Sequence, residues 1–144
     1  MSVSARNVFE GVVVAINTGL VNSEVRIDIS SDVQIVATIT VDSLKVLGLR
    51  VGSKVTAFIK APSILLAAGN GDLAFSARNR LSGVVSSVKR GSVNSDVMIR
   101  LKNGHEVKAI VTNDAVTELD INIDAQVYVL FKASSVILGT SIYS

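Results

Sequence analysis

Apolar and polar positions along this chain follow two recurring patterns. Residues 8–17 are a nearly continuous apolar run after Asn7, which predicts a strand buried on both faces. Glu24-Val25-Arg26-Ile27-Asp28-Ile29 alternates strictly, as does Asp96-Val97-Met98-Ile99-Arg100-Leu101, which predicts a second strand with one wet face. Gly19 to Ser23 supplies the hairpin between them. Val33 to Ile39 reads as a third strand, entered through Ser30-Ser31-Asp32, and the later equivalent of that turn is Lys102-Asn103-Gly104, a hairpin signal. Thr40-Val41-Asp42-Ser43 opens a short helix over Leu44 to Leu49, which Asp42 or Ser43 can cap and Gly48 can end. Val51-Gly52-Ser53 turns into a fourth strand, Lys54 to Lys60. Pro62 breaks it, and Ser63 to Leu66 is the fifth.

The whole pattern occurs twice. Residues 4–66 align with 76–138 at a constant offset of 72 without a gap, with 22 identities in 63 positions. Ser4-Ala5-Arg6-Asn7 returns as Ser76-Ala77-Arg78-Asn79, and Val21-Asn22-Ser23 as Val93-Asn94-Ser95. Two copies of such length are a tandem duplication, not a solenoid. Three strands, a helix and two strands in about 70 residues is the order of an OB-type barrel. The expected fold is all-β: two tandem OB-like five-stranded β-barrels, each with one short helix. The expected domains are residues 1–67 and 74–144, joined by a Gly-containing linker at 68–73. A 70-residue barrel is marginal alone, so further burial between modules and between chains is expected.

Composition narrows the chemistry. Apolar residues make up 49% of the 144, too many for a disordered chain, yet no run approaches the length of a membrane helix. With no Cys and a single His (His105), thiolate chemistry and multi-His metal sites are excluded within one chain. The start of the chain lacks a signal peptide's apolar core, so a cytoplasmic location is expected. A net charge of +2 is too balanced to demand a nucleic-acid partner.

The duplication filters the polar residues, because surface charges are free to drift between copies. Of 14 Lys and Arg, only Arg6/Arg78 and Lys60/Lys132 keep register. Thr40/Thr112 and several Ser pairs are kept, with few carboxylates. That set is wrong for a metal cation and right for a small oxyanion: Arg and Lys supply charge, while hydroxyls and backbone N–H groups supply directed donors. The start of the helix near Thr40 to Ser43 adds free N–H groups. Each feature has a plainer reading too. Ser-Ala-Arg-Asn can be a strand-entry turn, Thr40 a helix cap, Lys60 a solvated charge, Val21-Asn22-Ser23 a turn and His105 a solvated turn residue. Their joint retention at one offset argues against the plain reading of all of them together.

Ser-Ala-Arg-Asn, Gly-Val-Val, Gly-x-Val-Asn-Ser-x-Val, Ala-x-x-Thr-x-x-Ser, Leu-Gly-Leu and Ile-Lys-Ala-x-Ser, in that order, resemble the Mop (molybdate/tungstate-binding) domain. The resemblance covers 4–66 and 76–138. Two tandem copies resemble the di-domain molbindins. The resemblance implies an OB-like barrel that assembles as a homotrimer, a pseudo-hexamer of modules, with oxyanion sites between modules. It also implies ligands from the Ser-Ala-Arg and Lys-Ala-x segments of one module and the Thr-x-x-Ser segment of its neighbour. One implied set is Ser4, Ala5, Arg6, Lys60 and Ala61 with Thr40 and Ser43. The other is Ser76, Ala77, Arg78, Lys132 and Ala133 with Thr112. A second kind of site, near the three-fold axis, is implied around Val21, Asn22, Ser23 and Val93, Asn94, Ser95. Two departures stand out. Ala115 replaces Ser43, and Pro62 faces Ser134, so a hydroxyl and an N–H donor are each missing once.

The implied function is binding of molybdate, with tungstate as a near-isosteric analogue, for intracellular molybdenum storage and homeostasis. Neither a DNA-binding region nor a Walker loop is expected in a chain filled by the two copies. The competing reading is an OB-fold nucleic-acid module. It wants exposed aromatics in a basic groove, whereas aromatics are 4% here and Phe9, Phe58, Phe75 and Phe131 mostly fall at core positions. No enzyme is expected, since no nucleophile–base set or carboxylate pair recurs in both copies.

Overall fold

The computed structural model describes residues 3–30, 33–68 and 74–141. The centre of the expected linker and the Ser31-Asp32 turn lie outside them. The first repeat forms β1 (Asn7–Thr18), β2 (Asn22–Ser30), β3 (Val33–Thr40), α1 (Val41–Leu47), β4 (Lys54–Ile59) and β5 (Leu65–Ala68). The second forms β6 (Asn79–Arg90), β7 (Asn94–Leu101), β8 (Glu106–Thr112), α2 (Asn113–Glu118), β9 (Gln126–Phe131) and β10 (Ile137–Gly139). Three-residue 3-10 turns, Ala61–Ser63 and Ala133–Ser135, precede the last strand of each repeat. The described residues thus form two curled five-stranded antiparallel sheets with two short helices, the tandem OB-like architecture.

The spatial units do not follow the repeat boundaries. One sheet runs β10-β4-β1-β2-β3 and the other β5-β9-β6-β7-β8. The last strand of each repeat completes the sheet of the other, so the compact units are Met1–Ile59 with Lys132–Ser144, and Lys60–Phe131. The exchange is reciprocal in register: Ile137 pairs with Phe58, and Leu65, the equivalent of Ile137 in the first repeat, pairs with Leu130, the equivalent of Phe58 in the second. Division into residues 1–67 and 74–144 therefore describes the repeats and not the packed bodies. Pro62 does not cause the crossing, because Ser134 occupies the same place in the second repeat and the chain crosses there too.

Within each unit the core is aliphatic. Val25, Ile27, Ile35, Ala37 and Ala57 are fully buried in the first, and Val97, Ile99, Val107, Ala109 and Val129 in the second. The alternation predicted for β2 is borne out, with every second residue from Ser23 to Ile29 buried. The burial on both faces predicted for β1 is corrected. Asn7, Phe9 and Val13 are buried, but Val8, Val12 and Val14 are exposed, so only one face meets the core of its unit. The apolar run there reflects strand propensity and an uncovered outer face, not burial on both sides. A register shift between Val13 and Ala15 lets β1 pair with β4 by its first half and with β2 by its second.

Helix α1 starts earlier than expected. Its N-cap is Thr40, not Asp42 or Ser43, because Thr40 Oγ1 accepts the Ser43 N–H. Gly48 ends it in the left-handed region, φ 64°. The fifth strand also starts later than expected, at Leu65, because Ala61–Ser63 is a 3-10 turn.

Candidate oxyanion site

The Ser-Ala-Arg-Asn segment is anchored by its last residue. Asn7 is 2% exposed and its Nδ2 donates to the Ile59 carbonyl at 3.2 Å, pinning the start of β1 to the end of β4. Asn7 pairs with Ile59 and Asn79 with Phe131 in the β ladders. Arg6 therefore immediately precedes, and Lys60 immediately follows, paired strand ends; the same holds for Arg78 and Lys132. Ser4, Arg6, Ser76 and Arg78 are exposed, and Ala5 and Ala77 are half-buried. Lys60 and Lys132 are exposed, while Ala61 and Ala133 are buried and face the packing of their 3-10 turns. With its methyl group buried, each Ala has only its backbone to offer a ligand.

Thr40 and Ser43 lie in the first unit in an open groove of about 580 Å³, shared with Asn22, Thr38 and Val46. The residue that joins them from the Lys-Ala-x segments is Ser134, of the 3-10 turn that packs on β3. Sequence grouped Thr40 and Ser43 with Lys60 and Ala61. The strand exchange instead carries the segment after Lys132 into this unit, and packs the segment after Lys60 on β8, which ends at Thr112. Ser134 and Thr38 were not singled out as ligands. The mismatch of Ser134 with Pro62 was the available signal, but its place in space depends on the exchange.

The hydroxyls are ordered. The Ser43 N–H donates to Thr40 Oγ1 at 3.0 Å, and Thr40 Oγ1 donates to Ser43 Oγ at 2.8 Å. Ser43 Oγ–H is thereby available as a donor in the groove. Two of the helix-start donors expected for an anion are already used, since Val41 N also donates to Val21 O at 2.8 Å. In the second unit the Ala115 N–H donates to Thr112 Oγ1 at 3.1 Å, and no second hydroxyl follows.

The Val-Asn-Ser segments are turns. Gly19 N donates to Asn22 O and Gly91 N to Asn94 O, both at 2.8 Å. Ser23 and Ser95 are fully buried and committed: Ser23 Oγ bonds Thr18 Oγ1 at 2.9 Å, and Ser95 Oγ donates to Asn113 Oδ1 at 2.5 Å. Val21 and Val93 are exposed, as are Asn22 and Asn94. His105 is half-buried in the turn before β8.

Among the described residues the aromatic side chains do not form a stacking surface. Phe9 and Phe131 are buried, and Arg80 lies 5.6 Å from the Phe75 ring and 4.2 Å from the Tyr128 ring. Phe58 is half-buried and Phe75 partly exposed, so only two of the four phenylalanines take the expected core placement. Among the described residues no group of three His, Asp or Glu side chains could hold a metal cation. No described helix is long and apolar enough to cross a membrane.

A family model described as the TOBE domain matches residues 3–66 and again 76–138. The chain belongs to the TOBE-domain family. Its two TOBE copies coincide with the two sequence repeats, so the tandem organisation expected from the resemblance to Mop domains holds. The molybdenum transport protein ModE of Herbaspirillum seropedicae is 39% identical over 139 residues, 96% of this chain and 52% of that protein. The molybdenum-pterin-binding protein MopA of Rhodobacter capsulatus is 36% identical, over 96% of this chain and 52% of its own length. This TOBE pair thus spans about half the length of the curated relatives it matches. The crystal structure of the cytoplasmic molybdate-binding protein ModG with molybdate bound superposes with a TM-score of 0.94 at 40% identity, covering 98% of this chain and 100% of that one.

Proposed function

We propose that this protein binds molybdate, with tungstate as its close analogue, and serves intracellular molybdenum storage and homeostasis. The observation that carries the reading is the end-to-end match to ModG, a protein crystallised with molybdate, by a chain that itself keeps Arg, Lys and Thr at matching positions in both repeats. Molybdate is a tetrahedral dianion. One Arg and one Lys nearly neutralise it, and hydroxyl and backbone donors fix its orientation. A dry pocket strengthens each contact.

The oxyanion ligands in this reading are Ser4, Ala5, Arg6, Lys60 and Ala61, the equivalent Ser76, Ala77, Arg78, Lys132 and Ala133, and the hydroxyls of Thr40, Ser43 and Thr112. A second position lies at the Val21–Ser23 and Val93–Ser95 turns, where the serine hydroxyls are already engaged and Asn22, Asn94 and backbone groups do the binding. The chain works as a cytoplasmic homotrimer and carries out no reaction. Supporting the trimer, exposed apolar residues recur in register: Val21 with Val93, Val51 with Ile123, and Leu65 with Ile137 are all at least 60% exposed. Surface drift would erase such pairs, whereas a repeated interface keeps them.

Equilibrium dialysis against molybdate, followed by elemental analysis of protein at its native mass, tests the reading. Molybdenum bound in fixed ratio to a three-chain particle is expected. A protein that emerges free of molybdenum refutes it, and a gel shift with short single strands would then test the nucleic-acid alternative.

A further inference from the structure

We infer that the two repeats build unequal oxyanion grooves, a tight one in the first unit and a weak one in the second. The inference rests on the molybdate reading above and goes beyond it. In sequence, the replacement of Ser43 by Ala115 and of Ser134 by Pro62 falls in different repeats, so each repeat carries one loss. The strand exchange changes that distribution. Ser134 lines the groove that already holds Thr40 and Ser43, and the turn containing Pro62 packs on β8 of the unit that holds Thr112 and Ala115. Both donor-rich residues meet in one unit and both donor-poor residues in the other.

Two further groove positions differ in the same direction. Thr38 lines the first groove, and its counterpart at the same offset is Ile110. Asp42 lines it as well and is kept as Asp114, so that carboxylate is common to both repeats; Val46 also lines it, and its counterpart is Glu118, an exposed second carboxylate that repels a dianion. Thus Thr38, Ser43 and Ser134 become Ile110, Ala115 and Pro62, and a negative charge is added. Pro62 removes a backbone N–H as well as a hydroxyl. Thr112 keeps its own hydroxyl proton, because no serine partner takes it, so the second groove is weakened and not abolished. Each lost hydrogen bond to a charged ligand lowers affinity by about tenfold or more.

Calorimetric titration of the full chain with sodium molybdate tests this. Two classes of groove site in equal number are expected, with dissociation constants at least about tenfold apart. The double variant Ser43→Ala with Ser134→Pro should weaken the tight class about tenfold or more, toward the weak one. The reverse variant, Ala115→Ser with Pro62→Ser, should tighten the weak class about tenfold or more, a gain that misfolding cannot produce. Groove sites of one affinity in the unaltered chain, or a reverse variant with an unchanged weak class, would overturn the inference while leaving molybdate binding standing. No heat and no uptake in any variant would overturn the molybdate reading and the inference with it.

Discussion

Thr40 Oγ1 accepts the Ser43 backbone N–H at 3.0 Å and donates its own O–H to Ser43 Oγ at 2.8 Å. One hydroxyl therefore both caps α1 and orients the donor that faces the groove. The two roles separate by mutation. Thr40→Val removes the cap and should cost about 1 kcal/mol, with a melting temperature lower by several degrees. Ser43→Ala leaves the cap in place, as Ala115 does in the second repeat, and should leave the stability within about 0.5 kcal/mol of the parent's while weakening molybdate binding. Thermal denaturation of both variants beside a binding titration checks the separation; equal melting losses would refute it.

Arg6 and Lys60 continue from paired strand ends, Asn7 and Ile59, and both side chains are exposed. In the proposed site they act through charge and not through packing. Arg6→Ala and Lys60→Ala should each lower the molybdenum count after dialysis, with little change in thermal stability. Arg50→Ala, at a basic position that the duplication does not keep, serves as the control. Counts unchanged from the parent protein would remove Arg6 and Lys60 from the site.

Much of this fold is legible in the sequence because local rules and the repeat agree. The alternation of β2 and β7, the Asn103-Gly104 turn and the helix end at Gly48 all follow from residue chemistry over a few positions. The exchange of β5 and β10 is not legible, because a last strand presents the same residues whichever sheet it joins, and Leu65 and Ile137 fit either edge. The composition of the groove inherits that ambiguity: Ser43 is visible as a candidate, but Ser134 as its neighbour is not. The exposed face of β1 fails for a related reason. An apolar run states that a surface prefers to leave water, and does not state whether its cover lies in the same chain.

Gly11 and Gly83 sit where β1 and β6 cross closely over the neighbouring strand. A Cβ at Gly11 would lie 2.6 Å from the Asp28 carbonyl oxygen and 2.7 Å from Ile27 Cγ2; at Gly83 it would lie 2.5 Å from Ile99 Cγ2 and 3.0 Å from the Arg100 carbonyl oxygen. The opposing backbone is held in a ladder and cannot yield cheaply. Gly11→Ala and Gly83→Ala should each destabilise the protein by about 1–3 kcal/mol despite the better strand propensity of Ala. Urea denaturation reads the effect, and a midpoint equal to the parent's would show that the strands separate freely there.

Asp120 and Asp124 hold backbone conformations that the first repeat gives to glycine. Their φ values are 52° and 74°, against 64° at Gly48 and 96° at Gly52, which stand 72 residues earlier. An L side chain in this region costs about 1 kcal/mol, which Asp offsets only in part by local hydrogen bonding. Nothing lies within 4 Å of the Cβ position at Gly48 or Gly52, so the demand there is conformational and not one of space. Asp120→Gly and Asp124→Gly should therefore each raise stability by a few tenths of a kcal/mol up to about 1 kcal/mol, the strain relieved being larger than the unfolded-chain entropy gained. The converse changes, Gly48→Ala and Gly52→Ala, should lower it by a similar or larger amount. Denaturant midpoints of the four variants decide the matter: aspartates that resist replacement by glycine would mean that their carboxylates contribute contacts stronger than the backbone strain they impose.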